Sequence, residues 1–257
     1  MLTIRREQIR VFDQEAVKRF QEGLIPHLNE HFPAYVKYLG GQGIRRVIEL
    51  GCRNATHHGF DTDRDLCLYT DLSIMLGAGF DTDPQLPWAG SILRDPGLRD
   101  PWDRMDKLWD TAMEYLVRVC GPDDVFPEKT YRLAIRQLPL KGPAFAPESM
   151  VNAVSRFLEE IWPEKAEDIG SPGLIRSVGR SLAEAGRFGI THPGGKADFA
   201  VFAFLLGHHF FCDPVFPMAQ NILDDSVNQG FLHLSGEEKS GRLQRELEKW
   251  LDQLYFG

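Results

Sequence analysis

The 257-residue sequence has few cysteines, no long apolar run and no excess of basic residues. Its four cysteines form no CxxC pair, so neither a disulfide framework nor a zinc ribbon is indicated, and free thiols are typical of a reducing compartment. The longest apolar stretch, 199–206, has eight residues, whereas a membrane-spanning helix needs about 20. The arginines near the N-terminus are followed by no apolar signal-peptide core. We therefore expect a cytoplasmic protein that makes no membrane contact.

Acidic residues outnumber basic ones, and the excess is concentrated in one segment. The net charge is −8, and positions 57–110 hold eleven Asp, no Glu and five Lys or Arg, a local balance of −6. Nucleic acid is disfavoured as a partner because phosphate binding draws on clustered basic residues. A basic protein partner is favoured, although a solvated face explains the charge equally simply. The partner-binding candidates are Asp61, Asp63, Asp81, Asp100 and Asp103.

The sequence contains an internal repeat with an offset of 130 residues. When 28–93 is placed over 158–223 without a gap, seventeen of the 66 positions are identical. Self-similarity at a fixed spacing predicts two copies of one structural unit. We therefore divide the chain into a first repeat at 1–120, a linker at 121–147 and a second repeat at 148–257.

Each copy shows helical periodicity and no strand-like alternation. Apolar residues three and four apart predict helices at 14–31, 44–58, 64–76 and 102–119, with counterparts at 149–162, 174–187, 197–206 and 238–255. The fold class is therefore all-α, as a tandem duplication of a unit of four to five helices. Because the third helix of the second copy is apolar on every side, we expect the copies to pack about a pseudo-twofold axis along a shared seam.

A set of glycine, phenylalanine and Asp-Pro positions recurs in both copies. Gly77 and Gly207 stand where a glycine ends a helix. The Asp-Pro pairs predict an N-cap followed by proline at the first helical position. The signature comprises Gly59, Gly77, Phe80, Asp83, Pro84, Gly189, Gly207, Phe210, Asp213 and Pro214.

One segment of the first copy is dense in possible metal ligands, and its members are His57, His58, Asp61, Asp63 and Asp65. A calcium loop is excluded because Leu66 and Leu72 replace the required Gly and Glu. The second copy has Arg, Phe, Thr, Pro and Gly at the five equivalent positions. We therefore expect no metal site here and predict that Asp63 or Asp65 caps the third helix. A metal-dependent hydrolase or toxin that uses His57, His58, Asp61 and Asp63 is the alternative.

Known catalytic and nucleotide-binding motifs are absent from the sequence. No GxSxG, HExxH, GxGxxG or GxxxxGK[ST] pattern occurs. The adjacent His208 and His209 point about 100° apart on a helix, so they seldom bind one metal together. We predict no catalytic residue and no cofactor.

The first copy resembles a family of uncharacterised helical proteins encoded beside bacterial type VI secretion spike genes. The resemblance rests on Gly59-Phe60, Leu76-Gly77, Phe80, Asp83-Pro84 and Trp88. The second copy departs from this pattern, with Met218 in place of the tryptophan. The resemblance implies a helper role, either an adaptor that loads an effector or an immunity protein that blocks a toxin.

These observations favour a non-catalytic protein-binding module, acting as an adaptor, chaperone or immunity protein on a secretion spike, effector or toxin. The metal-dependent enzyme described above is the first alternative. The second is a small ligand bound in the seam between the copies, which requires that the seam is not fully packed.

Overall fold

The structure, a computed structural model, describes residues 6–122, 125–137, 147–224 and 234–256. These residues form twelve α-helices and one 3₁₀ turn, Phe210–Cys212, and contain no strand. The all-α prediction is confirmed for this part of the chain. The helices are α1 Arg6–His31, α2 Pro33–His57, α3 Asp63–Leu76, α4 Pro87–Leu93, α5 Pro101–Cys120, α6 Val125–Gln137, α7 Pro147–Ile161, α8 Pro163–Ile169, α9 Ser171–Arg187, α10 Pro193–Leu206, α11 Pro217–Leu223 and α12 Gly236–Phe256.

Proline and short polar side chains determine where many of these helices begin. Seven helices start at a proline, whose fixed φ suits the first helical position and whose missing N–H is not needed there. Asp100 caps α5 by accepting a hydrogen bond from the Trp102 backbone N–H at 2.9 Å. The predicted cap of α3 is wrong, because Thr62 holds that position and accepts from the Asp65 N–H. Asp63 is instead the first helical residue.

Helix boundaries recur at the 130-residue spacing of the sequence repeat. α3 and α10 coincide at this offset, as do α4 and α11, and α2 and α9 end at equivalent positions. Gly40 and Gly170 both have positive φ, 62° and 72°. In the first half Gly40 kinks α2, and in the second the equivalent glycine separates α8 from α9. The predicted turn before residue 44 is therefore a kink within a helix that begins at Pro33.

The two halves share their hydrophobic core. α10 is buried along eleven of its fourteen residues and contacts α7, α9 and α12. Contacts between the halves join α2 to α12 and α5 to α8. Trp162 donates its indole N–H to the Val119 carbonyl at 2.8 Å, and Gln85 donates its amide to the Ala203 carbonyl at 2.8 Å. The third helix of the second half is covered, as its apolar character requires.

The segment predicted as a linker, 121–147, contains a packed helix. α6 contacts α5, α7 and α12, and its Tyr131 and Ala134 are buried. Tyr131 donates its hydroxyl to the Leu205 carbonyl of α10 at 3.0 Å. This part of the segment therefore contributes to the core as well as joining the halves. Within the described ranges, every helix is too short or too polar to traverse a lipid bilayer.

Candidate functional site

Two aspartates join the halves by reciprocal hydrogen bonds. Asp83 accepts from the Gln85 N–H in its own turn and from the His208 N–H in the other half, both at 2.8 Å. Asp213 accepts from the Val215 N–H at 2.8 Å and from the Ala78 N–H at 2.6 Å. The prediction that these residues are helix N-caps is wrong, because α4 and α11 begin four residues later. In each aspartate, one carboxylate oxygen accepts a hydrogen bond from an N–H of its own turn, and the other accepts from an N–H of the facing loop.

Burial affects the protonation of Asp213 because its carboxyl group is removed from water. Burial raises the pKa of Asp213 to about 7, and the hydrogen bonds from Val215 and Ala78 offset only part of that increase. Asp83 differs in its surroundings, because its charge acts on a nearby buried cation, Lys165. The two equivalent aspartates therefore lie in electrostatically different environments.

The remaining signature residues shape these facing loops. Gly77 and Gly207 end α3 and α10 with φ of 93° and 98°, a conformation that other residues rarely adopt. Gly59 and Gly189 also have positive φ, at the turns before α3 and α10. Phe80 and Phe210 are fully buried, and Pro84 and Pro214 lie in the turns before α4 and α11.

A cavity of about 400 Å³ opens beside this junction, lined by residues of both halves. The halves are thus not fully packed against each other where they meet. Most of the lining is apolar, which is typical of pockets that bind small molecules. Its Phe, Tyr and Trp residues are Phe32, Tyr35, Tyr115, Tyr131, Trp162, Phe216 and Trp250.

Lys165 places a positive charge in the wall of the cavity. Its side chain is 7% exposed, and its ammonium donates to the Phe204 carbonyl and lies 5.0 Å from the rings of Trp162 and Phe204. Burial lowers the pKa of Lys165 to about 8, while the charge of Asp83 opposes the shift. The group therefore remains mainly protonated at neutral pH. An ammonium has three N–H donors, and the Phe204 carbonyl occupies one of them.

Two other lining residues have buried polar atoms without a hydrogen-bond partner among the described residues. These atoms are Gln85 Oε1 and Trp250 Nε1. A buried polar atom that is left unpaired costs about 1–3 kcal/mol. The residues that line the cavity thus include one unpaired acceptor and one unpaired donor, both buried. Neither Lys165 nor Gln85 could be predicted as a site residue from the sequence, because neither belongs to a motif and the equivalent positions of the repeat hold Tyr35 and Val215.

The ligand-like cluster of the sequence is not assembled. His58 Nε2 lies 2.8 Å from Asp81 Oδ2, and the Tyr69 hydroxyl donates to the same oxygen at 3.0 Å. Burial raises the pKa of Asp81, but the hydrogen bonds from His58 and Tyr69 outweigh it, so the pKa is lowered overall. His57 is exposed. No three of His57, His58, Asp61 and Asp63 have ligand atoms within 4.8 Å of one another.

Four of the five partner-binding candidates are exposed, and they lie near the N-termini of α3 and α5. These are Asp61, Asp63, Asp100 and Asp103, whereas Asp81 is mostly buried by its contacts with His58 and Tyr69. Arg64 of α3 lies 4.0 Å from the ring of Trp102 and pairs with Asp106, both on α5, so the two helix starts adjoin. Trp102 is 50% exposed.

A different group of metal-type side chains does come together, and sequence analysis missed it. Its members are His27 of α1 with Cys67 and Asp71 of α3. Burial and the charge of Asp71 raise the pKa of the Cys67 thiol to about 11. The signal was present as His27/His31 and Cys67/Asp71, two pairs with helical i,i+4 spacing. Only the fold brings these two pairs into contact.

No protein-family model, curated protein or solved structure matches the chain.

Proposed function

We propose that this protein is a non-catalytic binding protein that holds an apolar ligand with one acidic head group in the cavity between its halves. The observation that carries the proposal is the buried Lys165 ammonium in a mostly apolar wall that also includes Asp83. A buried charge is costly, and proteins that retain one commonly use it to fix a ligand's orientation.

The chemistry of the wall defines the ligand class. Lys165 can supply charge-assisted hydrogen bonds to a carboxylate, because the Phe204 carbonyl occupies only one of its three N–H donors. Tyr35, Tyr115 and Phe216 offer surfaces for an aliphatic or aromatic body. Medium-chain carboxylates have both parts, and we use decanoate as the probe, with decanol as its uncharged counterpart.

The test is calorimetric titration of the full chain with each probe, together with the fluorescence of Trp162 and Trp250, which line the cavity. We expect decanoate to bind with 1:1 stoichiometry and more tightly than decanol. Lys165→Met should weaken decanoate binding about tenfold or more, because a hydrogen bond to a charged group is worth about 1.5–3 kcal/mol. The same variant should leave decanol binding within about twofold, since no ion pair is lost.

A cavity-filling variant separates this site from unspecific hydrophobic binding. Ala34 lines the cavity, so Ala34→Trp should block both probes. Val117→Trp is the matched control, because Val117 is 73% exposed on α5 and outside the cavity lining. Failure of both probes to bind the wild type, or full binding by the Ala34→Trp variant, would overturn the proposal.

A second candidate function is favoured by the exposed Trp102 among carboxylates. We propose that Asp61, Asp63, Asp100 and Asp103 steer a basic protein partner toward Trp102, since tryptophan is a frequent anchor at interfaces. The resemblance to proteins encoded beside type VI secretion spike genes suggests a spike, effector or toxin as that partner. In this proposal the protein acts in the cytoplasm as an adaptor, chaperone or immunity protein.

This second candidate is tested by co-purification with each protein encoded beside it, and by co-expression with any toxin among them. We expect Asp61→Lys combined with Asp103→Lys to abolish binding. The control reverses the charge of Glu159 and Glu160, two exposed residues of α7, and so changes the net charge equally. Equal binding by both variants would exclude the acidic surface. Relief of toxicity would identify an immunity protein, and binding without relief would identify an adaptor.

We further propose that the halves descend from one duplicated unit and pack about a pseudo-twofold axis. Three observations support this proposal: the ungapped sequence repeat, the helix boundaries that recur 130 residues apart, and the reciprocal bonds of Asp83 and Asp213. In such a duplication both copies would keep the junction aspartate, while equivalent positions in the cavity would diverge, with Tyr35 in the first copy and Lys165 in the second.

A further inference from the structure

Two pairs of ligand-type side chains face each other across α1 and α3. His27 and His31 lie four residues apart on α1, and Cys67 and Asp71 lie four apart on α3. Residues at i and i+4 share one face of a helix, so each helix directs two such groups toward the same side. Two i,i+4 pairs on neighbouring helices can place four ligand-type side chains around one ion.

The distances within the group fit a small metal ion. His27 Nε2 lies 2.9 and 3.1 Å from the two carboxylate oxygens of Asp71. This nitrogen, the Cys67 sulfur and one Asp71 oxygen all lie within 4.8 Å of one another. In a tetrahedral zinc site, bonds of about 2.0–2.3 Å place the ligand atoms roughly 3.5 Å apart. The three groups are therefore close to the required separation before any ion is bound.

His31 provides a fourth candidate ligand. Its ring centroid lies 4.5 Å from that of His27, although His31 is outside the three-residue group whose ligand atoms all lie within 4.8 Å of one another. His31 is exposed, whereas Asp71 is 7% exposed. The group thus has a buried end at Asp71 and an open end at His31, through which an ion has access.

The equivalent positions of the second half are all apolar. They are Phe157, Ile161, Ala197 and Val201, and all four are buried in the hydrophobic core. The same helix pair therefore packs without any polar group at these positions. A polar contact such as that between His27 and Asp71 is no more stabilising than such apolar packing. Packing alone therefore does not explain why all four positions hold ligand-type side chains in the first half and apolar ones in the second.

We propose that His27, Cys67 and Asp71, with His31 as the fourth ligand, bind one divalent transition-metal ion of the zinc class. Thiolate and imidazole select zinc over magnesium and calcium, which prefer oxygen ligands. A thiolate and a carboxylate together balance the charge of a divalent ion. The bound ion would fasten α1 to α3, and this proposal does not depend on a ligand in the cavity.

The first experiment uses the wild-type chain and needs no variant. After treatment with a chelator, the protein is titrated with Zn²⁺ and then with Co²⁺, whose absorption reports coordination geometry and thiolate ligation. We expect one Zn²⁺ per chain, an increase in Tm, and a sulfur-to-cobalt charge-transfer band. Zn²⁺ should also protect Cys67 from alkylation, as measured by mass spectrometry. The exposed Cys212 is the internal control and should react equally with and without the ion.

Variants then assign the ligands. We expect Cys67→Ala, His27→Ala and Asp71→Ala each to weaken Zn²⁺ binding by more than the roughly 10–100-fold that loss of an outer-shell partner causes. His57→Ala is the matched control, since His57 is exposed and outside the group. Absence of stoichiometric Zn²⁺ binding, an unprotected Cys67, or binding that depends on His57 would overturn the proposal. An affinity unchanged by His31→Ala would remove His31 alone from the ligand set.

Discussion

Substitution of Asp83 tests whether the crossing hydrogen bonds hold the halves together. Asp83→Ala removes the acceptor of the Gln85 and His208 N–H groups. If Asp83 only capped its own turn, the effect would stay within residues 77–85. Because one carboxylate oxygen accepts from His208, we expect the substitution to loosen a loop 125 residues away.

The expected loss follows from the two bonds. A hydrogen bond to a charged group contributes about 1.5–3 kcal/mol, and a buried N–H left without a partner carries a similar penalty. The Gln85 bond is buried and the His208 bond is partly buried. We therefore expect Asp83→Ala to lower the free energy of unfolding by about 3 kcal/mol. Loss of a local cap alone would cost about 1 kcal/mol.

Two measurements check this expectation. Urea denaturation followed by circular dichroism gives the change in stability, and hydrogen exchange followed by mass spectrometry gives its location. Exchange should accelerate in peptides that cover residues 207–213 as well as 77–85. Asp95→Ala is the matched control, because Asp95 accepts from the Gly97 N–H in an exposed turn of the same local kind. If Asp83→Ala lowered the free energy of unfolding no more than the control does and left hydrogen exchange at His208 unchanged, the hydrogen bond between Asp83 and the other half would not contribute to stability.

Three further predictions concern protonation and close packing. Asp213 has a folded pKa of about 7, above its ordinary value of 3.8, so its stabilising contribution is present below pH 3.8 and is lost as the pH rises through 7. Asp213→Asn should therefore remove roughly 4 kcal/mol of the change in unfolding free energy between pH 4 and 8. The same pH dependence in urea unfolding of both proteins would contradict this prediction. Gly77→Ala should cost about 1–2 kcal/mol because φ is 93°, and an unchanged Tm would count against the strain. Gly51→Ala should lower the free energy of unfolding by about 1–3 kcal/mol, because the added Cβ would lie 2.8 Å from Thr70 Oγ1. Gly41→Ala is the control: its Cβ would point into open space, so it should raise the free energy of unfolding by roughly 0.5–1 kcal/mol. Similar unfolding curves for the two variants would contradict the close packing at Gly51.

The helices were largely predictable, because their signals are local. Apolar spacing located α3, α5, α9 and α10 to within a few residues. The short helix α8 was not predicted, and the starts of α4 and α11 were predicted three residues too early, since seven residues are too few for a clear periodicity. α6 was missed as well, because the prolines and glycines of the surrounding segment concealed its packed face.

The candidate sites were less predictable, because each depends on residues distant in sequence. Lys165, Gln85 and Trp250 meet only at the cavity, and no spacing rule connects them. The sequence drew attention to His57, His58 and Asp61 because they lie within five residues of one another. In the structure α2 ends at His57, and His58 instead contacts Asp81, so nearness along the chain did not bring these ligand atoms together.

The sequence by itself determined that the described residues are helical, because periodicity, helix-ending glycines and helix-starting prolines act over a few residues. Only the tertiary structure decided that Asp83 and Asp213 bond across the junction, that Lys165 is buried in a cavity wall, and that His27 meets Cys67 and Asp71. These contacts depend on how helices pack, and helix packing is determined by the whole core rather than by neighbouring residues.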